Sequence, residues 1–303
     1  MFASSLAETE ELCRALGYSP RWAGSMRRAV LAGQEPELPP GLSEALLGRL
    51  VWSSSRVGLR SVAADGAVKL LVALGDGETV EAVRLPGARR GSACISSQVG
   101  CAMACRFCAS GLEGVRRNLS AHELLEQIVL LRRDGTVARL VFMGSGEPTQ
   151  NLREVVRAME VLKAEGALGP RHVLISTVGP VSAIERVTAT GLKWTLALSL
   201  HALNRTLRGE LIPTQREVEP RELLAAAVRR QKVLADFSLH VLRFTGELEA
   251  ASDGQSYFVE HEPSSPSPIA ELFDRTVPPM AAAGLLRAAV DLFDALRAAH
   301  TPT

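Results

Sequence analysis

Three of the five cysteines in this 303-residue sequence fall within eight positions, as Cys101, Cys105 and Cys108 in CAMACRFCAS. A zinc site usually takes four ligands in separated pairs, and no fourth Cys or nearby His follows this trio. Three thiolates suit a [4Fe-4S] cluster that leaves one iron without a protein ligand, and an open iron is a place for reaction. The bland alternative is a set of inert core cysteines. Against it stands the setting, polar loops between a strand and a capped helix.

A second constellation is MGSGEP, residues 143 to 148. Gly144 and Gly146 let the backbone come close to a ligand, and Glu147 offers a carboxylate to an ammonium group. By itself a Gly-rich loop after a strand is usually a turn; one strand–helix unit after a three-cysteine loop, it is a specific pairing. Ser176 in STVG and Ser199, Leu200 and His201 in SLHA end the next two expected strands, where a hydroxyl or imidazole could reach a ribose or a carboxylate.

These groups need a scaffold that brings several loops to one place. At 47% hydrophobic the chain can bury a large core without disulfides. An odd cysteine total with a clustered trio fits a reducing cytoplasm, and no stretch reaches the roughly 18 apolar residues of a membrane span. Net charge is +1 but unevenly placed: residues 94–235 hold 19 Lys/Arg against 13 Asp/Glu, and residues 236–303 hold 4 against 10. An acidic tail does not help a chain to grip RNA along its whole length.

Residues 5–53 predict short helices separated by Gly and Pro, and 58–86 alternate around Asp65-Gly66 and Asp76-Gly77 as an antiparallel sheet does. From about 91 the order becomes strand, loop, helix, repeated through LSAHELLEQIVLLRR, VARLVFMG, NLREVVRAMEVLKAEG, RHVLIST, VSAIERVTATG, LKWTLALSLHA, PRELLAAAVRRQKVL and DFSLHVLRF. Ser120 and Glu123 are spaced as a capping box, and Gly166 closes the second of these helices. Alternation of this kind predicts parallel strands. The expected fold is α/β, a partial (β/α)6 TIM-like barrel behind a small helical and antiparallel β region. The division expected is 1–90 accessory, 91–245 barrel core and 246–303 a divergent segment with one last helix. Function in such barrels collects at the C-terminal strand ends, where all the motifs above fall.

The cysteine spacing, with Phe107 before the last Cys, resembles the signature of the radical S-adenosylmethionine (SAM) superfamily. Together CISSQVGCAMACRFC, RRNLSAHELLEQI, VFMGSGEPTQNL, STVGP and LALSLHALNRTLRGELIP resemble its RlmN and Cfr group of adenine methyltransferases of ribosomal and transfer RNA, over about residues 10–215. The resemblance implies that Cys101, Cys105 and Cys108 ligate a [4Fe-4S] cluster. It also implies that Gly146, Glu147, Ser176, Ser199, Leu200 and His201 bind SAM, and that a 5′-deoxyadenosyl radical abstracts hydrogen from substrate. It places Glu81 at the substrate base and makes Cys94 the cysteine that resolves a covalent intermediate; the alternative for Glu81 is an ordinary exposed strand carboxylate. A reductase or a flavodoxin- or ferredoxin-type protein would supply electrons.

The family also needs a cysteine near the C terminus that carries a methyl group, and no cysteine follows Cys108; Ser145 replaces the usual Met between the two glycines. The reading favoured by these departures is a radical SAM enzyme without the methyl-cysteine relay, acting on a small molecule, nucleoside or peptide. RNA adenine methylation with Cys94 or Cys13 as carrier is the alternative, and a non-catalytic Fe–S or RNA-binding relic a third.

Overall fold

The computed structural model describes residues 4–46, 49–50, 53–87, 91–165, 167–233 and 239–243. Three helices come first, α1 (Leu6–Ala15), α2 (Arg21–Leu31) and α3 (Leu42–Leu46). Three antiparallel strands follow, β1 (Arg56–Val62), β2 (Val68–Ala73) and β3 (Thr79–Leu85). The order then runs β4 (Gly91–Cys94), β5 (Gln98–Gly100), β6 (Val115–Asn118), α4 (Ala121–Arg132), β7 (Val137–Phe142), α5 (Leu152–Ala164) and β8 (Val173–Thr177). It continues with α6 (Val181–Ala189), β9 (Thr195–His201), α7 (Arg205–Leu211), α8 (Pro220–Val233) and β10 (Leu239–Arg243).

One eight-stranded sheet runs β1-β2-β3-β4-β7-β8-β9-β10. The last five strands are parallel to one another, the start of an open α/β barrel. The accessory strands do not form a separate sheet: β3 pairs antiparallel with β4, setting Val83 opposite Cys94. Strands β4, β8 and β9 are buried on both faces, as strands covered by helices on one side and by a barrel interior on the other must be. Leu140, Phe142, Ile175, Leu196, Leu198 and Leu200 join the large core under the helices, whereas Val141, Leu174 and Ala197, one residue out of phase, form a small inner layer with Met143. Ser176 and Ser199 share the phase of that inner layer, so their side chains belong to the barrel interior.

The helices start where their sequences direct. Ser120 caps α4 by accepting from the Glu123 N–H at 3.2 Å while the Glu123 carboxylate accepts from the Ser120 N–H at 2.8 Å. The expected closing residue of α5, Gly166, and the whole segment 246–303 with its last helix lie outside the described residues. The structure adds a two-stranded ribbon, β5 with β6, and helix α7, neither of which the sequence pattern predicts.

Glu126 on α4 ties the accessory region to the barrel. It is buried and accepts from the Ser54 N–H at 2.6 Å and from the Ser54 and Ser55 hydroxyls, with His122 Nε2 at 3.0 Å. Burial alone would raise its pKa, but the close approach of His122 and bonds from Ser55 and Ser54 outweigh that and hold it at about 2, against 4.5 for an ordinary Glu. The folded state therefore prefers the carboxylate. The stability so gained is complete above about pH 4.5 and is lost as pH falls toward 2, a swing of about 3 kcal/mol. Glu126→Gln should lower stability at pH 7 by about that amount and flatten the acid limb between pH 4.5 and 2, as measured by urea unfolding across that range.

Candidate functional site

The chain leaving β4 first zips onto the loop leaving β7. Ile95 N donates to Val141 O at 3.0 Å, Gly144 N to Ile95 O at 3.1 Å, and Ser97 N and Gln98 N to Ser145 O at 2.8 and 3.2 Å. Approach this close needs glycine: a Cβ on Gly144 would lie 2.7 Å from Ile95 C and Ser96 N, and one on Gly146, at φ +99°, 2.7 Å from Gln98 N. Gln98 completes the join, accepting from Glu147 N at 2.8 Å and donating to Asn118 at 2.7 Å.

The cysteines sit on a flap pinched at its base by the β5–β6 ribbon, where Cys101 N donates to Gly114 O at 3.0 Å. Cys101 is buried, Cys105 and Cys108 half-buried. Inside the flap Cys108 N donates to Cys105 O at 3.1 Å, and Ala104 takes φ +52° to make the turn. Ser145 Oγ donates to Gly100 O at 3.2 Å, so the MGSGEP loop is bonded to the residue immediately before Cys101. From the other side Arg106 N donates to Leu211 O at 2.9 Å and Thr214 Oγ1 to Met103 O at 2.9 Å.

Burial pushes the Cys105 thiol up to about 12, and the neighbouring Cys101, Cys108 and Glu147 charges add to that. Burial likewise raises Cys101. Two thiols that resist ionising, set with the Cys108 sulfur beside a buried carboxylate, call for a cation among them, the condition a metal cluster meets. Among the described residues no group of three His, Cys, Asp or Glu converges on a point to hold a single metal ion.

Glu147, Ser176, Ser199 and His201 reach the same mouth. Glu147 is buried, which raises its pKa. Its carboxylate is not free, as the sequence suggested, for it accepts from Thr149 Oγ1 at 2.6 Å, Thr149 N at 3.1 Å and Val178 N at 3.1 Å. It braces β7's loop to the end of β8. Ser176 and Ser199 Oγ atoms lie 3.0 Å apart across β8 and β9. The His201 ring, at φ +62°, packs on Phe107 with centroids 4.5 Å apart, and burial first, then the Arg208 charge, brings its pKa down to about 4. It is a neutral imidazole at pH 7. The Leu200 side chain points instead into the core under the helices, leaving only its backbone toward the mouth.

Cys94 and Glu81 lie at the β3–β4 side. Cys94 is 4% exposed, and burial, with a smaller effect from the Glu81 charge, pushes its thiol up to about 12. Glu81 is exposed and paired with Lys69, while its backbone carbonyl accepts from Ser96 Oγ at 2.7 Å. Cys13 is fully buried in the N-terminal helices, with its thiol raised chiefly by that burial. In iron-free protein, iodoacetamide at neutral pH should label Cys108 while Cys13 and Cys94 react only after unfolding, as peptide mass mapping would show. Labelling of Cys94 as fast as Cys108 would contradict this burial.

Sequence reasoning missed the residues that carry the loops. Asn151 Nδ2 donates to Ser97 O at 2.8 Å and Leu119 O at 2.7 Å, fixing both ends of the flap region. Arg208 is fully buried on α7. Helix α7 did leave one signal, since Asn204 heads it and its Oδ1 accepts from Leu207 N at 3.0 Å, a recognisable N-cap.

The model of the radical SAM superfamily matches residues 95–246. A probable dual-specificity RNA methyltransferase RlmN of Thermosynechococcus vestitus is 43% identical over 201 residues, 66% of this chain and 60% of that protein. A probable RNA methyltransferase of Thiobacillus denitrificans is 37% identical over 263 residues, 82% of this chain and 72% of that protein. Among solved structures, a radical SAM methyltransferase from Sphaerobacter thermophilus superposes with a TM-score of 0.69 at 33% identity, covering 79% of this chain and 75% of that one. The chain thus spans about three fifths of the length of the Thermosynechococcus relative. With the three-cysteine flap, the glycine loop bonded to it and the strand-end serines at one mouth, the chain belongs to the radical SAM superfamily and, within it, to the RlmN/Cfr-like family.

Proposed function

We propose that Cys101, Cys105 and Cys108 hold a [4Fe-4S] cluster, that SAM binds beside it at the barrel mouth, and that the substrate is an adenine base of RNA. The observation that carries the reading is the join of the MGSGEP loop to the base of the cysteine loop, Ser145 Oγ donating to Gly100 O at 3.2 Å and Ser145 O accepting from Ser97 N and Gln98 N. Reductive cleavage of SAM to a 5′-deoxyadenosyl radical is the chemistry this pair supplies when bound. The chain's own residues shape the place for it. Gly146 and Glu147 border the cysteines, and an arriving ammonium would take the place of the Thr149 hydroxyl on Glu147. Ser176 and Ser199 offer hydroxyls from the interior face, Leu200 its backbone, and His201 a neutral ring that cannot repel a sulfonium. Buried Cys94, a thiol and not a thiolate at pH 7, is held as a proton or hydrogen donor, with Glu81 at the substrate side. A flavodoxin- or ferredoxin-type protein or a reductase would deliver the electron, in a reducing cytoplasm. No helix among the described residues is long and apolar enough to cross a membrane.

Sequence reasoning leaned to a small molecule, nucleoside or peptide. The similarity to RNA methyltransferases over four fifths of the chain supports RNA instead, as does the excess of Lys and Arg in residues 94–235. One observation favours hydrogen abstraction without methyl transfer as a second reading: Cys13 and Cys94, the two cysteines outside the trio, are both buried. Cys13 in particular is sealed away from the mouth as a methyl carrier.

Anaerobic reconstitution with iron, sulfide, SAM and dithionite should yield 5′-deoxyadenosine. Adding ribosomal or transfer RNA should yield methyladenosine by nucleoside mass spectrometry. A loaded cluster with no SAM cleavage would defeat the enzymatic reading, and cleavage with unmodified RNA would favour the second substrate class.

A further inference from the structure

A buried guanidinium lies under the cysteine flap with one N–H group unused. Arg208 is fully buried. Its Nε donates to Leu200 O at 3.1 Å and its Nη2 to Val178 O, so it is pinned between the ends of β9 and β8. Its Nη1 has no acceptor, and no carboxylate pairs with Arg208 among the described residues. A cation so placed is costly unless something anionic comes to it.

The geometry restricts what that can be. Val178 packs in one small cluster with Cys101, Met103 and Ile212, against which Cys105, Phe107 and Leu211 rest. His201, the residue after Leu200, packs against Phe107 with the rings tilted by 51°. Both anchors of the guanidinium therefore abut the underside of the flap that carries the cysteines. Glu147, the buried carboxylate of the same mouth, is engaged by Thr149 and Val178 N instead.

We propose that Arg208 Nη1 donates a hydrogen bond to the Cys105 thiolate once the cluster is in place, making Arg208 a positioning residue that offsets the cluster's negative charge. This rests on the reading of the three cysteines as cluster ligands. Hydrogen bonds and positive charge at ligand sulfurs favour the reduced cluster. Arg208 would thus ease the electron's arrival without touching SAM.

The test uses the full chain, reconstituted without SAM, carrying arginine labelled with 15N in the guanidino group. Pulsed electron paramagnetic resonance of the reduced cluster should show a 15N coupling that persists in Arg106→Lys and vanishes in Arg208→Lys. In redox titrations Arg208→Gln should shift the midpoint to more negative potential, and Arg208→Lys, which keeps the charge, should shift it less. A reduced cluster with no 15N coupling overturns the proposal, as does a coupling that appears only when SAM is added, since the partner is then its carboxylate. The labelled unmutated protein decides between these outcomes even where Arg208→Gln does not fold. A chain that assembles no cluster at all defeats the cluster reading and this assignment together.

Discussion

Cys105→Ala protein should purify folded, hold no stable [4Fe-4S] cluster and form no detectable 5′-deoxyadenosine. Three ligands are the fewest that keep a four-iron cube while leaving one iron open, so losing any one has no local remedy. Cys94 is no substitute, because that thiol is buried at the end of β4. The fold, in contrast, rests little on Cys105. Its half-buried side chain lies against a small cluster remote from the large core, so truncation should cost about 1 kcal/mol or less. Iron and sulfide assays, visible absorbance and thermal melting of the apoprotein separate the two effects. A variant that melts much earlier than wild-type apoprotein would show that the cysteine is a packing residue first.

Gly146→Ala should fail for a different reason, through the backbone. At φ +99° an L side chain is strained, and the added Cβ would stand 2.6 Å from Gln98 Cβ and 2.7 Å from Gln98 N. Gln98 cannot step aside cheaply, because its N donates to Ser145 O and its amide is held by Glu147 N and Asn118. Strain and overpacking together should cost about 3 kcal/mol, and SAM binding measured by equilibrium dialysis should be lost even in molecules that remain folded. Gly77→Ala is the control. Its φ is +90° with nothing within 4 Å of a Cβ, so only the conformational cost of about 1 kcal/mol applies. Equal melting shifts for the two variants would show that Gln98 does yield and that the seam between the loops is soft.

The order of elements was legible because short apolar runs alternate with amphipathic helices, a pattern that survives without tertiary context. Val173–Thr177 is buried throughout, and Ser120 with Glu123 makes the capping box that their spacing announces. The cysteines and glycines were legible for another reason, since their chemistry is narrow. What escaped was the wiring between them. Strands β5 and β6 have three and four residues, too few to show a period, and they exist because they pair with each other. Arg208 in RTLRGEL looks like any solvated helix charge until the ends of β8 and β9 close over it. Glu147 looked free because sequence does not show that Thr149 folds back onto it two residues later. The sheet also proved continuous across β3 and β4, which sets the Glu81 strand beside the Cys94 strand by pairing alone.

The pinched base of the flap bears on how iron would enter and leave. Gly100 and Gly114 cross so closely that a Cβ on Gly100 would fall 2.0 Å from Gly114 O, and the ribbon is stitched by main-chain bonds that involve no cysteine side chain. A receptor whose rim is sewn before its cargo arrives forfeits little chain entropy on filling. Oxidative stripping should then leave an empty but correctly shaped purse, ready for refilling by an assembly scaffold without passing through an unfolded chain.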